Sequence, residues 1–261
     1  MEIEALIRRD RAIAAAGVAA LALLAWLYVI RLAGQMRSMD MAPAAGAAMP
    51  MAMPEPWGAG QFALAFLMWA VMMVAMMVPA ASPMLLTFAT INRRRASIGT
   101  ATVPTGIFLG GYLVVWSAFS LLATLAQWAL GRAALLAPDT LRAAPWVGGA
   151  LLLAAGIYQF TPLKHVCLAR CQSPIGFILT EWREGPHGAF VMGLRHGIFC
   201  VGCCWALMAL LFVAGVMNLL WIAALAVLVL VEKLVPAERL ISWTSGALLL
   251  AWGAWILVRN L

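Results

Sequence analysis

Long apolar stretches dominate this chain of 261 residues and restrict the folds open to it. A helix needs about 20 mostly apolar residues to cross the hydrocarbon core of a bilayer. Six stretches are clear candidates, and a seventh is marginal because Glu232 and Lys233 follow its 13 apolar residues. The clear stretches are residues 12–30, 62–81, 104–130, 145–160, 197–217 and 240–258, and the marginal one is 219–231. The pattern predicts an all-α, polytopic transmembrane helix bundle of six or seven spans.

The composition agrees with this prediction. Hydrophobic residues make up 65% of the chain and charged residues only 10%, with a mean hydropathy of +0.97. In soluble domains about a quarter of the residues are charged. A net charge of +7 would suggest nucleic acid binding in a soluble protein, but in a membrane protein basic residues first act as topology signals. We therefore expect the lipid bilayer as the surroundings, and no nucleic-acid partner.

The basic residues also predict an orientation. If there are seven spans, one side of the membrane collects 12 Lys and Arg residues and the other side 5. The cytoplasmic side carries the excess of such residues, so the N-terminus is predicted to be cytoplasmic and the C-terminus outside. The first apolar stretch is not followed by a small-residue cleavage pattern, and we interpret it as a retained span.

Three of the five cysteines lie close together at the head of the fifth clear stretch. At about 100° per helical residue, His196, Cys200, Cys203 and Cys204 fall within an arc of about 100° and share one face. Thiolates and an imidazole on one face are soft ligands, which suit Cu(I) or Zn(II). The alternative is that cysteines and glycines simply pack helices closely in the membrane. Three cysteines within five positions favour a ligand or redox role.

A second pair of cysteines precedes this group. Thr161 as N-cap and Pro162 as the first helical residue predict a short helix over 163–171, with Cys167 and Cys171 on the same side. The predicted topology places all five cysteines at cytoplasmic helix ends, where thiols stay reduced. An odd number of cysteines also excludes a complete set of intramolecular disulfides.

Methionines are concentrated in two places. Thioethers are Cu(I) ligands that cannot form disulfides, so a methionine-rich loop on the outer side could collect that ion. The predicted loop, residues 35–57, carries Met36, Met39, Met41, Met49, Met51 and Met53. An alanine-rich, low-complexity linker explains this loop equally well. Met68, Met72 and Met76 recur every four residues in the second span, where core packing is the alternative to a metal relay.

Glu232 and Lys233 end the marginal span. Ionisable groups at membrane depth are functional candidates by default. This pair, however, lies close enough to the end of the stretch for both side chains to reach water, as membrane anchors do. The sequence slightly favours the anchor interpretation.

Three motifs resemble a known family. They are Met68-Trp-x-x-Met-Met-x-x-Met-Met-x-Pro79, Tyr158-Gln-x-Thr-Pro-Leu-Lys-x-x-Cys-Leu-x-x-Cys171 and Gly197-x-x-Cys-x-Gly-Cys-Cys-Trp-x-Leu-Met208. Together they are similar to the bacterial predicted metal-binding integral membrane proteins, a family catalogued as a domain of unknown function. The resemblance implies the bacterial inner membrane and metal binding by the five cysteines, without naming the ion.

The leading hypothesis is a membrane protein that binds a soft metal ion, with Cu(I) ahead of zinc, and that passes it along a methionine relay to the Cys/His cluster. Residues 1–61 would form an N-terminal anchor with the outer loop, and residues 62–261 the metal-binding bundle. Partners would be the metal ion and a periplasmic or cytosolic metallochaperone. The chain contains no Walker A motif, so any transport would be passive, gradient-coupled or dependent on a partner.

Two other functions remain open on the sequence. A membrane thiol-disulfide oxidoreductase would use the two cysteine groups as exchanging dithiols, with a quinone as electron acceptor. A non-catalytic assembly subunit would use cysteines and glycines only for packing. The metal hypothesis predicts reduced thiols and a bound ion, whereas the enzyme predicts disulfides and turnover.

Overall fold

The fold is a bundle of α-helices. A computed structural model describes residues 2–40, 57–96, 102–137, 140–235 and 238–260. The helices are α1 (Glu2–Asp40), α2 (Ala59–Ala96), α3 (Thr105–Arg132), α4 (Pro145–Gln159), α5 (Pro162–Gln172), α6 (Pro174–Glu181), α7 (Gly185–Ala209), α8 (Leu211–Ala214), α9 (Leu219–Leu234) and α10 (Glu238–Arg259). Within these ranges no strand is present, and the all-α prediction is confirmed.

Five helical stretches are long and apolar enough to cross a membrane. They are α1, α2, α3, α10 and the continuous stretch formed by α7 and α8. The pair α4 and α5, bent by 67° at its break, adds a sixth if it is one broken span. Helix α9 has only 16 residues, about 24 Å at 1.5 Å per residue. The described residues thus contain five or six such spans, against the six or seven expected from the sequence, so the two ranges overlap at six.

Two predicted boundaries differ from the structure. Helix α7 begins at Gly185, well before the predicted residue 197, because Arg195 forms an ion pair with Glu181 and need not lie in a loop. Cys200 therefore lies midway along the stretch from Gly185 to Ala214 rather than at its head. Helix α1 continues to Asp40, so Met36 and Met39 lie in a helix and not in an irregular loop. The other four loop methionines, Met41, Met49, Met51 and Met53, lie outside the described residues.

Helix α2 contains two prolines and remains helical over 38 residues. Pro83 has no N–H to donate to the carbonyl of Pro79, four residues earlier. The Ser82 hydroxyl donates to that carbonyl instead, at 2.8 Å. A local side chain thus satisfies the backbone group that the second proline leaves free, as is typical of proline in membrane helices.

Glycines allow α3 and α7 to pack with their backbones in contact. A Cβ atom at Gly193 would lie 2.0 Å from the carbonyl oxygen of Phe108, and one at Gly111 would lie 2.2 Å from that of Phe190. Only a residue without a side chain fits such a contact. Helices α4 and α10 use the same device through Gly149, Gly156, Gly246 and Gly253. These contacts hold α7 rigidly beside α3, which positions the cysteines.

The contacts of the charged residues separate two ends of the bundle. Three ion pairs join arginines to carboxylates at the end where α7 begins, namely Arg93 with Asp10, Arg95 with Glu184 and Arg195 with Glu181. At the other end Arg142 donates to the carbonyl oxygen of Val213 at 3.1 Å. The sequence count likewise assigns these two sets of arginines to opposite sides, and which side is cytoplasmic stays a prediction.

Candidate functional site

Helices α5 and α7 bring the five cysteines together. Thr161 caps α5 by accepting a hydrogen bond from the backbone N–H of Lys164 at 3.3 Å, and Pro162 is the first helical residue, as the sequence predicts. All five thiols are free, and all five residues are buried. The exposed fraction is 8% for Cys167 and Cys171 and between 0% and 2% for Cys200, Cys203 and Cys204.

Four of these cysteines form one group, which we call the thiol cluster: Cys171, Cys200, Cys203 and Cys204. Cys171 interacts electrostatically with Cys200 and Cys203, which places this part of α5 next to α7. The Sγ atoms of Cys203 and Cys204 lie 3.1 Å and 2.9 Å from the carbonyl oxygen of Cys200. Both thiols are therefore turned back along their own helix and donate to its backbone.

Cys167 lies at the rim of the cluster. A Cβ atom at Gly202 would lie 2.7 Å from Cys167 Sγ, so this sulfur rests directly against the backbone of α7. Cys167 also interacts electrostatically with Cys203, the residue that follows Gly202. The missing side chain at Gly202 is what allows α5 to approach so closely.

A methionine of α2 joins the cysteines. Met77 Sδ lies 3.8 Å from Cys204 Sγ, and Met77 is fully buried. Met68, Met72 and Met76, the row that the sequence predicts as a relay, are also buried in the core. The sequence pattern shows Met77 only as part of a parallel row, and the four-residue spacing alone does not reveal which row faces the cysteines.

Tyr112 of α3 contacts α2 and α7, two of the helices that carry the sulfur atoms. Its hydroxyl donates to the carbonyl oxygen of Met77 at 3.0 Å and lies 3.1 Å from Cys200 Sγ. Sequence analysis did not select this residue, because a single tyrosine in an apolar helix carries no spacing pattern. Its role follows from the glycine contacts, which bring α3 against α7.

Glu232 and Lys233 are both buried inside the protein, so the anchor interpretation is wrong. Lys233 Nζ donates to Cys200 Sγ at 2.9 Å. Glu232 accepts hydrogen bonds from Lys164 Nζ at 2.9 Å and 2.7 Å and from Gln159 Nε2 at 3.1 Å. Helix α9 ends within the bundle, where these partners replace the water that the sequence suggested.

His196 lies beside the cluster in an aromatic environment. It is 2% exposed, and its ring stacks on Tyr112 with centroids 5.6 Å apart and meets Phe177 edge-on at 5.6 Å. Electrostatic interactions connect it to Cys200 and Cys203. Within the described part of the chain, its Nδ1 atom has no hydrogen-bond partner. Buried polar atoms usually have a hydrogen-bond partner, so this unpaired nitrogen keeps His196 a candidate ligand.

The arrangement contains soft donors that a metal ion could use after a small rearrangement. No group of three or more His, Cys, Asp or Glu among the residues described here has the geometry of a finished metal site. Cys203 and Cys204 direct their thiols to a backbone carbonyl, so convergence on one ion requires rotation about their Cα–Cβ bonds. Such rotations between staggered wells are ordinary side-chain motions.

Comparison with known proteins identifies the family. A family model described as "Copper chaperone" (PpoB2) matches residues 66–256, which is most of the chain. The chain belongs to this family. Together with the long apolar helices, the match makes it a membrane protein of a copper-related family. No curated protein and no solved structure matches the chain.

Proposed function

We propose that this protein binds Cu(I) as its cargo at the thiol cluster and Met77, and delivers the ion to a partner. The observation that carries this proposal is the meeting of sulfur atoms from three helices, α2, α5 and α7, in one buried place. Thiolate and thioether ligands favour soft metal ions such as Cu(I) over hard ions such as Mg²⁺ and Ca²⁺. Membership of the copper chaperone family supports the same ion.

The methionine favours Cu(I) over zinc. Zinc sites in proteins use thiolate, imidazole and carboxylate ligands, and a thioether is not among them. Met77 Sδ lies beside Cys204 Sγ, whereas the carboxylate of Glu232 accepts hydrogen bonds from Lys164. The set of donors around Cys204 is therefore suited to the softer ion.

Lys233 supplies the charge that such a site needs. Two thiolates and one Cu(I) ion together carry a single negative charge, which is costly to bury unless a cation lies close by. The Lys233 ammonium lies 2.9 Å from Cys200 Sγ and is 6% exposed. A bound two-thiolate Cu(I) complex would thus be electrically balanced inside the protein.

A route into the cluster runs along α2. Met68, Met72 and Met76, with the parallel row of Met73 and Met77, are buried along this helix up to the contact with Cys204. We include a relay along these thioethers in the proposal, with Met77 as its last member. Weak thioether sites that lead to stronger thiolate sites make transfer toward the cluster favourable.

The test is an anaerobic Cu(I) titration of the protein in lipid nanodiscs, in competition with a Cu(I) chelator. We expect one tightly bound ion per chain, and none in the variant with Cys200→Ser, Cys203→Ser and Cys204→Ser. Met77→Leu should weaken binding, whereas Met84→Leu, a buried methionine later in the same helix, should not. Unchanged copper content in the triple serine variant, with the fold intact by circular dichroism, would overturn the proposal.

A thiol-disulfide oxidoreductase is the second candidate, because Cys171 interacts with Cys200 and Cys203 and all five thiols are free. Counting free thiols in the purified, copper-free protein separates the two functions. The copper proposal expects five free thiols and no turnover. A stable disulfide that reforms after reduction in the presence of a quinone would favour the enzyme.

A further inference from the structure

Helix α3 carries a row of polar side chains on its buried face. Trp116, Ser120, Thr124 and Gln127 follow Tyr112 at intervals of about one helical turn, and their exposed fractions lie between 0% and 4%. We call these four residues the polar row. Polar groups inside a membrane protein are costly, and they commonly line the path of a polar or charged cargo. The polar row therefore calls for an explanation beyond packing.

The hydroxyls of the polar row do not repair a broken backbone. Ser120 and Thr124 donate to the carbonyl oxygens of Trp116 and Ser120, each at 2.8 Å. In α2 the similar bond from Ser82 serves a carbonyl that a proline leaves free. Helix α3 contains no proline, so its carbonyls already accept from the N–H groups of the helix. Each hydroxyl directs its hydrogen to its own helix, and its lone pairs are left to face the neighbouring helix.

Two hydrogen bonds join α3 to α2, the helix that carries the proposed route. Gln127 Oε1 accepts from Trp69 Nε1 at 2.7 Å, and the Tyr112 hydroxyl donates to the carbonyl oxygen of Met77 at 3.0 Å. The same hydroxyl lies 3.1 Å from Cys200 Sγ. The contact between α2 and α3 therefore extends from the Trp69 side chain to the thiol cluster.

Helical geometry places the polar row against the thioethers. At about 100° per residue, Ser120 lies within about 20° of Gln127 around α3, and Thr124 within about 60°. Met73, which is fully buried, lies within about 40° of Trp69 around α2. Hydroxyl oxygens of one helix thus face thioethers of the other.

An ion on the thioethers of α2 has no charge to balance it. Neither α2 nor α3 contains an Asp or Glu residue, and thioethers are neutral. The ammonium of Lys233 beside Cys200 adds a positive charge ahead of the ion. Burying an unpaired charge is costly, so the ion is unstable on this route unless dipoles stabilise it. Hydroxyl oxygens whose hydrogens are turned away present the negative ends of such dipoles.

We infer that Ser120 and Thr124 stabilise Cu(I) on its way along α2, and so set the rate at which the thiol cluster is loaded. The inference rests on the proposed function and assigns part of its route to α3. In each step one bond between the ion and a thioether forms as the previous one breaks. The ion stays Cu(I), and no proton or electron is transferred. Because the hydroxyls act only in transit, the affinity of the cluster does not depend on them.

The experiment measures how fast the protein in nanodiscs takes Cu(I) from a weak chelator, together with its equilibrium affinity. We expect the double variant with Ser120→Ala and Thr124→Val to load about tenfold more slowly than the wild type, with the same affinity. Thr124→Ser keeps a hydroxyl and should load at the wild-type rate. Ser117→Ala is the matched control, because Ser117 lies on the same helix but is exposed.

The outcomes separate the inference from the function on which it rests. If the wild type binds no copper, the proposed function fails and the inference fails with it. If copper binds but the double variant loads at the wild-type rate, only the role of α3 is wrong. A loss of affinity in the double variant, or equal slowing in Ser117→Ala, would also overturn that role. If the double variant does not fold, Thr124→Val decides in its place, because loading as fast as in Thr124→Ser would contradict the inference.

Discussion

Two buried lysines lie near the C-terminal end of α9, one on α5 and one on α9 itself, and their partners differ. Lys164 of α5 pairs with the Glu232 carboxylate at 2.7 Å and 2.9 Å. Lys233 of α9 donates to the Cys200 thiol at 2.9 Å. A carboxylate beside an ammonium forms a complete ion pair, whereas a thiol can exchange its proton for a metal ion. The comparison separates a contact that maintains the fold from one that, in the proposed function, serves the bound Cu(I).

The first contact positions the second. Glu232 also accepts from Gln159, and Gln172 Nε2 donates to the backbone carbonyl of Glu232 at 2.6 Å. These bonds hold the last turn of α9 against α5. Because consecutive helical residues point about 100° apart, fixing Glu232 on α5 directs Lys233 toward α7 and Cys200.

The largest effect is expected when the ion pair between Lys164 and Glu232 is broken. Glu232→Gln leaves the Lys164 ammonium buried without a counter-charge, and we expect a loss of about 3–5 kcal/mol in stability. Thermal unfolding of the purified protein in detergent measures it. The double variant Lys164→Met with Glu232→Gln removes the stranded charge and should recover most of the loss. A double variant as unstable as the single one would show that the ion pair is not the cause.

At the contact between Lys233 and Cys200 we expect a smaller effect on stability and a larger effect on Cu(I) binding. Lys233→Met leaves a cysteine that can remain a neutral thiol, so the unfolding temperature should change little. The bound two-thiolate complex, however, loses its counter-cation, and we expect Cu(I) affinity to fall about tenfold, or about 1.4 kcal/mol. The competition titration measures this change. Equal affinity in Lys233→Met would remove the distinction between the two lysines.

The smallest effect sharpens the comparison by removing a neutral hydroxyl that lies beside the same sulfur. Tyr112→Phe deletes the hydroxyl that lies 3.1 Å from Cys200 Sγ and leaves Lys233 in place. We expect Cu(I) binding to weaken by about 0.5–1 kcal/mol, within the usual net contribution of a hydrogen bond. Tyr28→Phe, at a half-exposed tyrosine of α1, is the control. A loss in Tyr112→Phe larger than in Lys233→Met would show that charge is not the main contribution at Cys200.

Local patterns predicted part of the site well. The Thr161–Pro162 cap predicted α5, and four-residue spacing placed Cys167 with Cys171 on one side of it. These predictions succeed because a helix start and a helix face depend on residues within one or two turns. Spacing also grouped the α7 cysteines, although it could not say that two of their thiols turn toward a carbonyl.

Two of the errors came from charges. The predicted start of α7 at residue 197 leaves Arg195 in a loop, and the anchor interpretation places Glu232 and Lys233 in water. The free energy of burying a charge depends on its partner, and the partners here, Glu181, Lys164 and Cys200, come from other helices. Hydropathy summed along the chain contains no information about such pairings.

The sequence by itself determined that this is a helical membrane protein with a group of cysteines on one helix face, because apolar length and helical spacing are local properties. Only the tertiary structure decided which side chains from α2, α3 and α9 complete that group. Met77, Tyr112 and Lys233 reach the cysteines through close glycine contacts and the end of a short helix inside the bundle. The physical reason is that their proximity depends on packing between helices far apart in the chain, which no local pattern specifies.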